Sequence, residues 1–239
     1  MPRFFLDEAI GDTVTITGGD ARHIALSLRM QVGDALTLCN GCGTDYACRI
    51  TALSPDSVTL SVMETTDSKS EPSVAVTLYQ GLPKGDKLEL IVQKAVELGV
   101  TRIVPVVTAR SIARESARDQ KKTARLQKIA NEAAGQSGRG ILPTVEPPVS
   151  FAAAAARMAG ENTVVLYECG GAPLRETVKD APRALSLFVG PEGGIAPDEV
   201  ETLVKNGART ATLGPRILRC ETAPIAALAA VMALTGNME

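Results

Sequence analysis

The stretch LSLFVGPEGGIAPDEV, residues 185–200, decides the architecture. Leu185 to Val189 reads as a short buried strand and passes directly into Gly190-Pro191-Glu192-Gly193-Gly194. Pro197 then occupies a first helical position ahead of Asp198, Glu199, Val200, Leu203 and Val204, and Gly207 ends that helix. Strand, glycine loop and helix in succession are the unit of an α/β domain with a mostly parallel sheet, and such sheets hold ligands beyond the carboxyl ends of their strands. Glycines let backbone groups approach a ligand closely, although a tight strand-to-helix turn needs the same residues. No Gly-Lys-Ser/Thr follows, so this is not a Walker A loop, and the dinucleotide G-x-G-x-x-G spacing fails. Glu192 is a poor neighbour for a phosphate and a better one for a ligand with hydroxyls and cationic character.

The same alternation extends on both sides. Downstream, a strand from Thr210 to Leu213 leads into LGPRILRCETA (Leu213 to Ala223) and a final helix from Thr222 to Leu234. Arg219 and Glu221 stand close together at the start of that helix, where they either meet a ligand or pair with each other and cap the helix. Upstream, Val74 to Tyr79 is a strand, and Asp86 with Glu89 fits a capping box. Leu88, Ile91, Val92, Ala95 and Val96 repeat at helical spacing until Gly99. Ile103 to Val107 is the next strand, Ser116 to Ala134 a long helix, Phe151 to Met158 an alanine-rich helix, and Val164 to Cys169 a strand. A third polar cluster, Asn131 to Arg139, leaves Gln136, Ser137 and Arg139 on a turn that suits phosphate or base contacts, or a solvated helix end.

The first seventy residues follow another rhythm. Thr13 to Thr17, Ala35 to Cys39, Asp45 to Leu53 and Ser57 to Met63 read as short strands, with a possible short helix from Asp20 to Leu28. Turn residues such as Gly18-Gly19, Gly33-Asp34, Asn40-Gly41 and Pro55-Asp56 separate them, as in a small β-barrel. The polar TTDSKSEPS, Thr65 to Ser73, is the expected linker, which gives a domain over 1–70 and another over 74–239.

Composition excludes several classes. With 45% hydrophobic and 22% charged residues among 239, the chain has a globular core. Four Phe, three Tyr and no Trp leave no aromatic platform for single-stranded nucleic acid. One histidine, His23, precludes a multi-histidine metal site, and no metal is expected. The start Met1-Pro2-Arg3-Phe4-Phe5 is not a secretory leader, and no run of about eighteen apolar residues spans a bilayer. A cytoplasmic protein with no membrane contact is expected. Cys39-Asn40-Gly41-Cys42 has metal or redox spacing but no matching second pair, so a turn with reduced thiols is the expectation for the five cysteines. The formal charge is −2, yet nine basic residues between Arg102 and Arg139 face only Glu115, Asp119 and Glu132, a local excess of six that can hold phosphates.

The runs GLPKGDKLELIVQKAVELGV (Gly81 to Val100), EAAGQSGR (Glu132 to Arg139), FVGPEGGIAPDEV (Phe188 to Val200) and LGPRILRCETA closely resemble the bacterial 16S ribosomal RNA uridine-N3 methyltransferases of the SPOUT class. Arg3 to Phe5 and the H-x5-R-M-x2-G-D pattern from His23 to Asp34 match as well, so the resemblance covers essentially the whole chain. It implies an N-terminal PUA-like barrel that helps to bind RNA and a C-terminal α/β domain tied as a deep trefoil knot. It also implies a homodimer that methylates N3 of the uridine conventionally numbered 1498 in 16S RNA, with S-adenosylmethionine as donor. The cofactor loops would be Gly190, Glu192, Gly193 and Gly194, with Leu213, Gly214, Ile217 and Leu218. Cys220 stands where the family leads us to expect threonine, and Gly135 where a larger residue is common.

Uracil N3 carries a proton, so attack on a sulfonium methyl needs that proton gone or leaving and an in-line donor. An arginine beside O2 or O4 stabilises the uridine anion, and Arg219 is the first candidate. Glu221 either orients Arg219 or accepts the proton, the latter only with an upward pKa shift. Candidate RNA contacts are Arg3, Arg22 and Arg29 in the barrel, Arg110, Lys121, Lys122 and Arg125 on the basic face, and Gln136 and Arg139 on the turn. A related methyltransferase acting on another atom, or a non-catalytic assembly factor on the same fold, remains open at this level. A Rossmann-type metabolite enzyme would need a glycine fingerprint after its first strand, and none is present.

Overall fold

Alternating apolar residues build the first compact unit, which comprises residues 1–71 together with 134–142. In the computed structural model, residues 1–6, 10–111, 119–178 and 182–238 are described. Strands β1 (Arg3–Phe5), β2 (Thr13–Thr17), β3 (Ala35–Cys39), β4 (Thr44–Leu53) and β5 (Ser57–Asp67) form one sheet in the order β1-β3-β4-β5-β2. Ile16, Leu36, Leu38, Cys48, Ile50, Val58 and Leu60 all point into the core of this small β-barrel. Ala21 of helix α1 (Gly18–Arg22) and Ile24 of the π-helical turn that follows pack into the same core. Two features departed from expectation. Strand β1 is only three residues long, too short to show an alternation, and it is defined by its parallel pairing to β3. Strand β5 runs four residues past Met63 into the expected linker, because its ladder with β4 continues to Thr44 opposite Asp67.

The C-N-G-C segment is a turn, and its cysteines are free thiols. It serves as a docking edge within this unit: Cys39 Sγ donates to Gly140 O at 3.1 Å, Gly43 N to the same carbonyl at 2.9 Å, and Leu142 N to Gly41 O at 3.0 Å. Glu71 completes the hold by accepting from Arg139 Nη2 at 2.6 Å, Gly140 N at 2.9 Å and Ile141 N at 3.1 Å.

The second unit, residues 72–133 and 143–239, is the α/β domain. Its elements are β6 (Ala75–Gly81), α2 (Lys87–Glu97), β7 (Arg102–Val107), α3 (Asp119–Gln136, whose last turn belongs to the first unit), β8 (Thr144–Val145), β9 (Val149–Ser150) and α4 (Phe151–Met158). After them come β10 (Thr163–Leu166), β11 (Ala172–Pro173), α5 (Leu174–Thr177), β12 (Ala184–Val189), α6 (Pro197–Lys205), β13 (Arg209–Thr212) and α7 (Thr222–Leu234). The expected start of the long helix at Ser116, with Arg114 and Arg118 of the basic stretch, lies outside the described residues.

The strands pair in parallel in the order β11-β13-β10-β12-β6-β7-β8, with β9 on β7. Strand β12 enters late, between β10 and β6, and β13 then takes the far side of β10. This order is consistent with a knotted SPOUT fold, an exception to the usual rule against threaded chains. Tyr79, Val104, Val165 and Phe188 share a core with Ala154 and Met158 of α4 and Val200 and Leu203 of α6. Their strand neighbours Leu78, Ile103, Val164 and Leu187 are buried as well, which is why these strands read as unbroken apolar runs. The capping box at α2 does not form. Asp86 has φ −94° and ψ 7°, outside the extended geometry that a side-chain cap needs, and Glu89 is held instead by Arg125 at 2.8 Å.

Gly81, at the carboxyl end of β6, lets the 190–194 loop close onto the sheet. A Cβ there would stand 2.5 Å from Pro191 Cδ and 2.7 Å from Pro191 N. Gly81→Ala is expected to destabilise the protein by about 1–3 kcal/mol through overpacking against a backbone that cannot give. Urea denaturation checks this, and an unchanged midpoint would refute the close-approach account.

Candidate functional site

Three parallel strands end within one residue of one another. Leu166 of β10 pairs with Val189 of β12 on one side and with Ala211 of β13 on the other. The turns that follow β12 and β13 therefore stand on either side of the end of β10. The first turn is folded on itself: Gly194 N donates to Pro191 O at 2.9 Å, and a Cβ on Gly190 would lie 2.8 Å from Ile195 Cγ1. Buried Gln80 anchors it from below, donating through Nε2 to Gly81 O at 3.1 Å and Gly190 O at 3.3 Å. Glu199 fixes the helix that follows, accepting from Ala109 N at 2.9 Å and Ala196 N at 3.2 Å. In the second turn Gly214 has φ +97°, a left-handed conformation, with open space where a side chain would stand. Thr222 N and Ala223 N both donate to Arg219 O at 2.9 Å, which starts α7.

Between the turns lies a cleft of about 500 Å³. Gly190, Glu192, Gly194, Leu213, Gly214, Ile217 and Leu218 line it, as do Arg219 and Glu221. Of the expected cofactor residues only Gly193 is outside the lining; its carbonyl accepts from Arg110 Nη1 at 2.8 Å. The cleft also contains Lys87, Leu166, Tyr167, Glu168 and Cys220, which the sequence reading did not assign. Lys87 was legible only as the start of a helix, since its partner Glu192 is 105 residues away. Tyr167 and Glu168 fall within the strand expected from Val164 to Cys169, but β10 ends at Leu166 and leaves both in the turn that follows.

The electrostatics centre on Lys87. Its Nζ stands 2.8 Å from Glu192 Oε1, 3.4 Å from Glu221 Oε2 and 3.9 Å from Cys220 Sγ. Glu192 also accepts from Lys84 N at 3.0 Å. Burial works against its charge, but the hydrogen bonds from Lys87 and backbone amides prevail and lower its pKa to about 2. Glu192 is thus bound to its neighbours rather than left open for a ligand. The Glu221 carboxyl also lies below its ordinary range, held by a hydrogen bond from the Cys220 thiol, by its own backbone amide and by Lys87. Burial and the contact with Glu221 push the Cys220 thiol up to about 12, so it stays a neutral donor at 3.2 Å from Glu221 Oε2, where a threonine hydroxyl would serve the same purpose. Arg219 and Glu221 form no ion pair with each other: Arg219 is exposed and lacks an anionic partner among the described residues, while Glu221 pairs with Lys87.

The expected RNA contacts divide by partner. Arg3 is committed to Asp45 at 2.5 and 2.7 Å, and Arg139, only 3% exposed, to Glu71; both arginines support the first unit from inside. Arg22 is exposed with a loose pair to Asp56 at 3.3 Å, and Arg29 is exposed with φ 52°. Lys121, Lys122 and Gln136 are exposed, and Arg125 reaches Glu89. A Cβ at Gly135 would meet only Phe5 Cε2 at 3.7 Å, an ordinary contact, so this position has room for a small side chain.

Known proteins share this arrangement. The family described as an RNA methyltransferase domain matches residues 69–232, and the RNA methyltransferase PUA domain matches residues 16–63. A ribosomal RNA small subunit methyltransferase E of Bacillus subtilis (strain 168) is 40% identical over 245 residues, which cover 97% of this chain and 96% of that protein. The protein of the same description from Synechocystis is 34% identical over 235 residues, 95% of this chain and 75% of the relative. The crystal structure of a ribosomal RNA small subunit methyltransferase E from Neisseria gonorrhoeae bound to S-adenosyl methionine superposes with a TM-score of 0.90 at 34% identity, over 98% of both chains.

The depressed Glu192 pKa gives a signed expectation. Its contribution to stability is complete above an unfolded-state value near 4.5 and is lost as the pH falls towards about 2. The stability difference between wild type and Glu192→Gln is therefore expected to be constant from pH 7 to 5 and to shrink between pH 4.5 and 2.5. Thermal melts across that range read it, and a difference that does not change with pH would contradict the assignment.

Proposed function

We infer the reaction from one premise: the chain belongs to the bacterial RNA methyltransferase family of the ribosomal RNA small subunit methyltransferases E. On that premise it transfers a methyl group from S-adenosylmethionine to N3 of one uridine in 16S ribosomal RNA. The observation that carries this reading is the single cleft that gathers both glycine turns with Arg219 and Glu221. The cleft fits the cofactor. Its volume is in the range of small-molecule sites, and a side chain at Gly194 would press on Glu168. The Glu168 carboxylate, in the lining and in no ion pair among the described residues, suits a ligand with cationic character. Gly190, Gly194, Leu213, Gly214, Ile217 and Leu218 would hold it, and when bound it supplies an electrophilic methyl group.

The chain's own part is electrostatic and positional. Arg219, free of anionic partners among the described residues, stabilises the charge that builds on the uracil oxygens as N3 loses its proton. Glu221, held as a carboxylate, is a weak acceptor for that proton; from the start of α7 it acts by holding Cys220 and the ammonium of Lys87, the first residue of α2. Residues 1–70 act as a PUA-like RNA-binding domain, and residues 74–239 carry the transfer. Arg22, Arg29, Arg110, Lys121, Lys122, Arg125 and Gln136 contact RNA, whereas Arg3 and Arg139 support the fold that presents them. A homodimer is the working form. Helix α7 has no charged residue, and its half-exposed Ile225, Ala226, Ala229 and Ala230 form an apolar face that suits a second copy. No helix of the described residues is long and apolar enough to cross a membrane.

Nucleoside mass spectrometry with site mapping tests the reading on small-subunit RNA from a strain lacking this gene, incubated with the protein and S-adenosylmethionine. One new 3-methyluridine at a single 16S position is expected. No added methyl group on naked RNA or on assembled subunits, with binding retained, would favour a non-catalytic assembly factor. Arg219→Ala is expected to slow transfer roughly 100-fold while the cofactor Kd changes less than about threefold. Reversing Lys121 and Lys122 to glutamate should lower the slope of log binding constant against log salt by about 2, and an unchanged slope would remove that face from the RNA interface.

A further inference from the structure

Lys87 opens α2 after β6, Glu192 lies in the turn after β12, and Glu221 stands at the end of the turn after β13. One ammonium thus ties three turns at the carboxyl edge of the sheet. Its distances of 2.8 Å to Glu192 Oε1 and 3.4 Å to Glu221 Oε2 mean that these two oxygens cannot be more than 6.2 Å apart. No other cation among the described residues forms an ion pair with either carboxylate. Without Lys87, two ionised groups on opposite walls of the cleft would face each other at close range and repel.

We propose that Lys87 is a positioning residue of this site, whose ammonium clamps the two glycine turns at the separation that S-adenosylmethionine requires. The inference rests on the reading of the cleft as the cofactor site. Lys87 does not touch the reacting atoms; it acts through Glu192 and Glu221. Glu192 in turn ties Lys84 N at 3.0 Å, so the clamp also sets the end of the loop that leads into α2. The role depends on charge, which separates it from a role of the lysine stem as packing.

A double-mutant cycle on cofactor binding tests this, with calorimetric titration of S-adenosylmethionine into wild type, Lys87→Met, Glu192→Gln, the double variant and Lys87→Arg. Methionine keeps an unbranched apolar stem without the charge, and glutamine keeps an acceptor for Lys84 N. Lys87→Met is expected to raise the Kd at least tenfold in the wild-type background and less than threefold in the Glu192→Gln background, with Lys87→Arg near wild type. An equal loss in both backgrounds, or a loss under twofold, overturns the clamp. If wild type itself fails to bind the cofactor, it is the reading of the cleft that falls. The same cycle on melting temperature then decides the clamp: a drop of about 3 °C confined to the background with Glu192 intact supports it, and equal drops overturn it.

Discussion

The site depends on β10 lying between β12 and β13. The last residue of β10, Leu166, pairs with Val189, which ends β12, and with Ala211, one residue before the end of β13, and the chain leaves β10 at Tyr167 while turns rise on both sides. A sheet built in simple chain order would set β12 and β13 side by side, with no gap between their turns. The late entry of β12 between β10 and β6 separates them by one strand. The topology therefore makes the cleft, and the glycines make it usable. Gly81 lets Pro191 close onto β6, and Gly194 leaves room beside Glu168.

Holding two turns apart requires a fixed floor and a tie across the top. Gln80 supplies the floor, bonded to the carbonyl that begins the first turn and wholly buried. Lys87 supplies the tie between the two carboxylates. Both come from the β6 to α2 connection, so the first strand and helix of the domain govern the shape of a site whose named loops come a hundred residues later. Charge of both signs is used structurally near the cleft before any ligand is considered.

Much of this was legible in the sequence. Short apolar runs between turn residues matched the observed bounds of β2 and β3, alanine content matched α4, and the apolar run after the last glycine turn matched α7, because these are local signals. The unread parts are those that join distant residues. Asp86 and Glu89 had the spacing of a capping box, but Arg125 claims Glu89 and the backbone of Asp86 is not extended. The ion pairs of Arg3 and Arg139 were not legible because a count of charges does not include partners; Asp45 and Glu71 are 42 and 68 residues away from them. The polar linker was overextended for the same reason, since pairing with β4 carries β5 through threonines that alone suggest a loop.

The division of charge at the cleft also bears on the chemistry. An effective base for a proton as weakly acidic as that on uracil N3 would need a raised pKa, and burial without a cation would have given one. Glu192 and Glu221 both carry the opposite shift, Glu192 chiefly through the hydrogen bond from Lys87 and Glu221 chiefly through those from the Cys220 thiol and its own backbone amide, with Lys87 adding to it. The acids present are therefore poor acceptors but firm anchors. Among the described residues, Arg219 and its cleft neighbour Arg216 form no ion pair, which leaves permanent cations on an exposed part of the cleft. Such an arrangement favours lowering the acidity barrier at the uracil over strengthening a base in the protein. On the proposed reading, a cation that steadies the negative charge developing on the uracil makes N3 nucleophilic, while the carboxylates would hold the two turns that carry the donor.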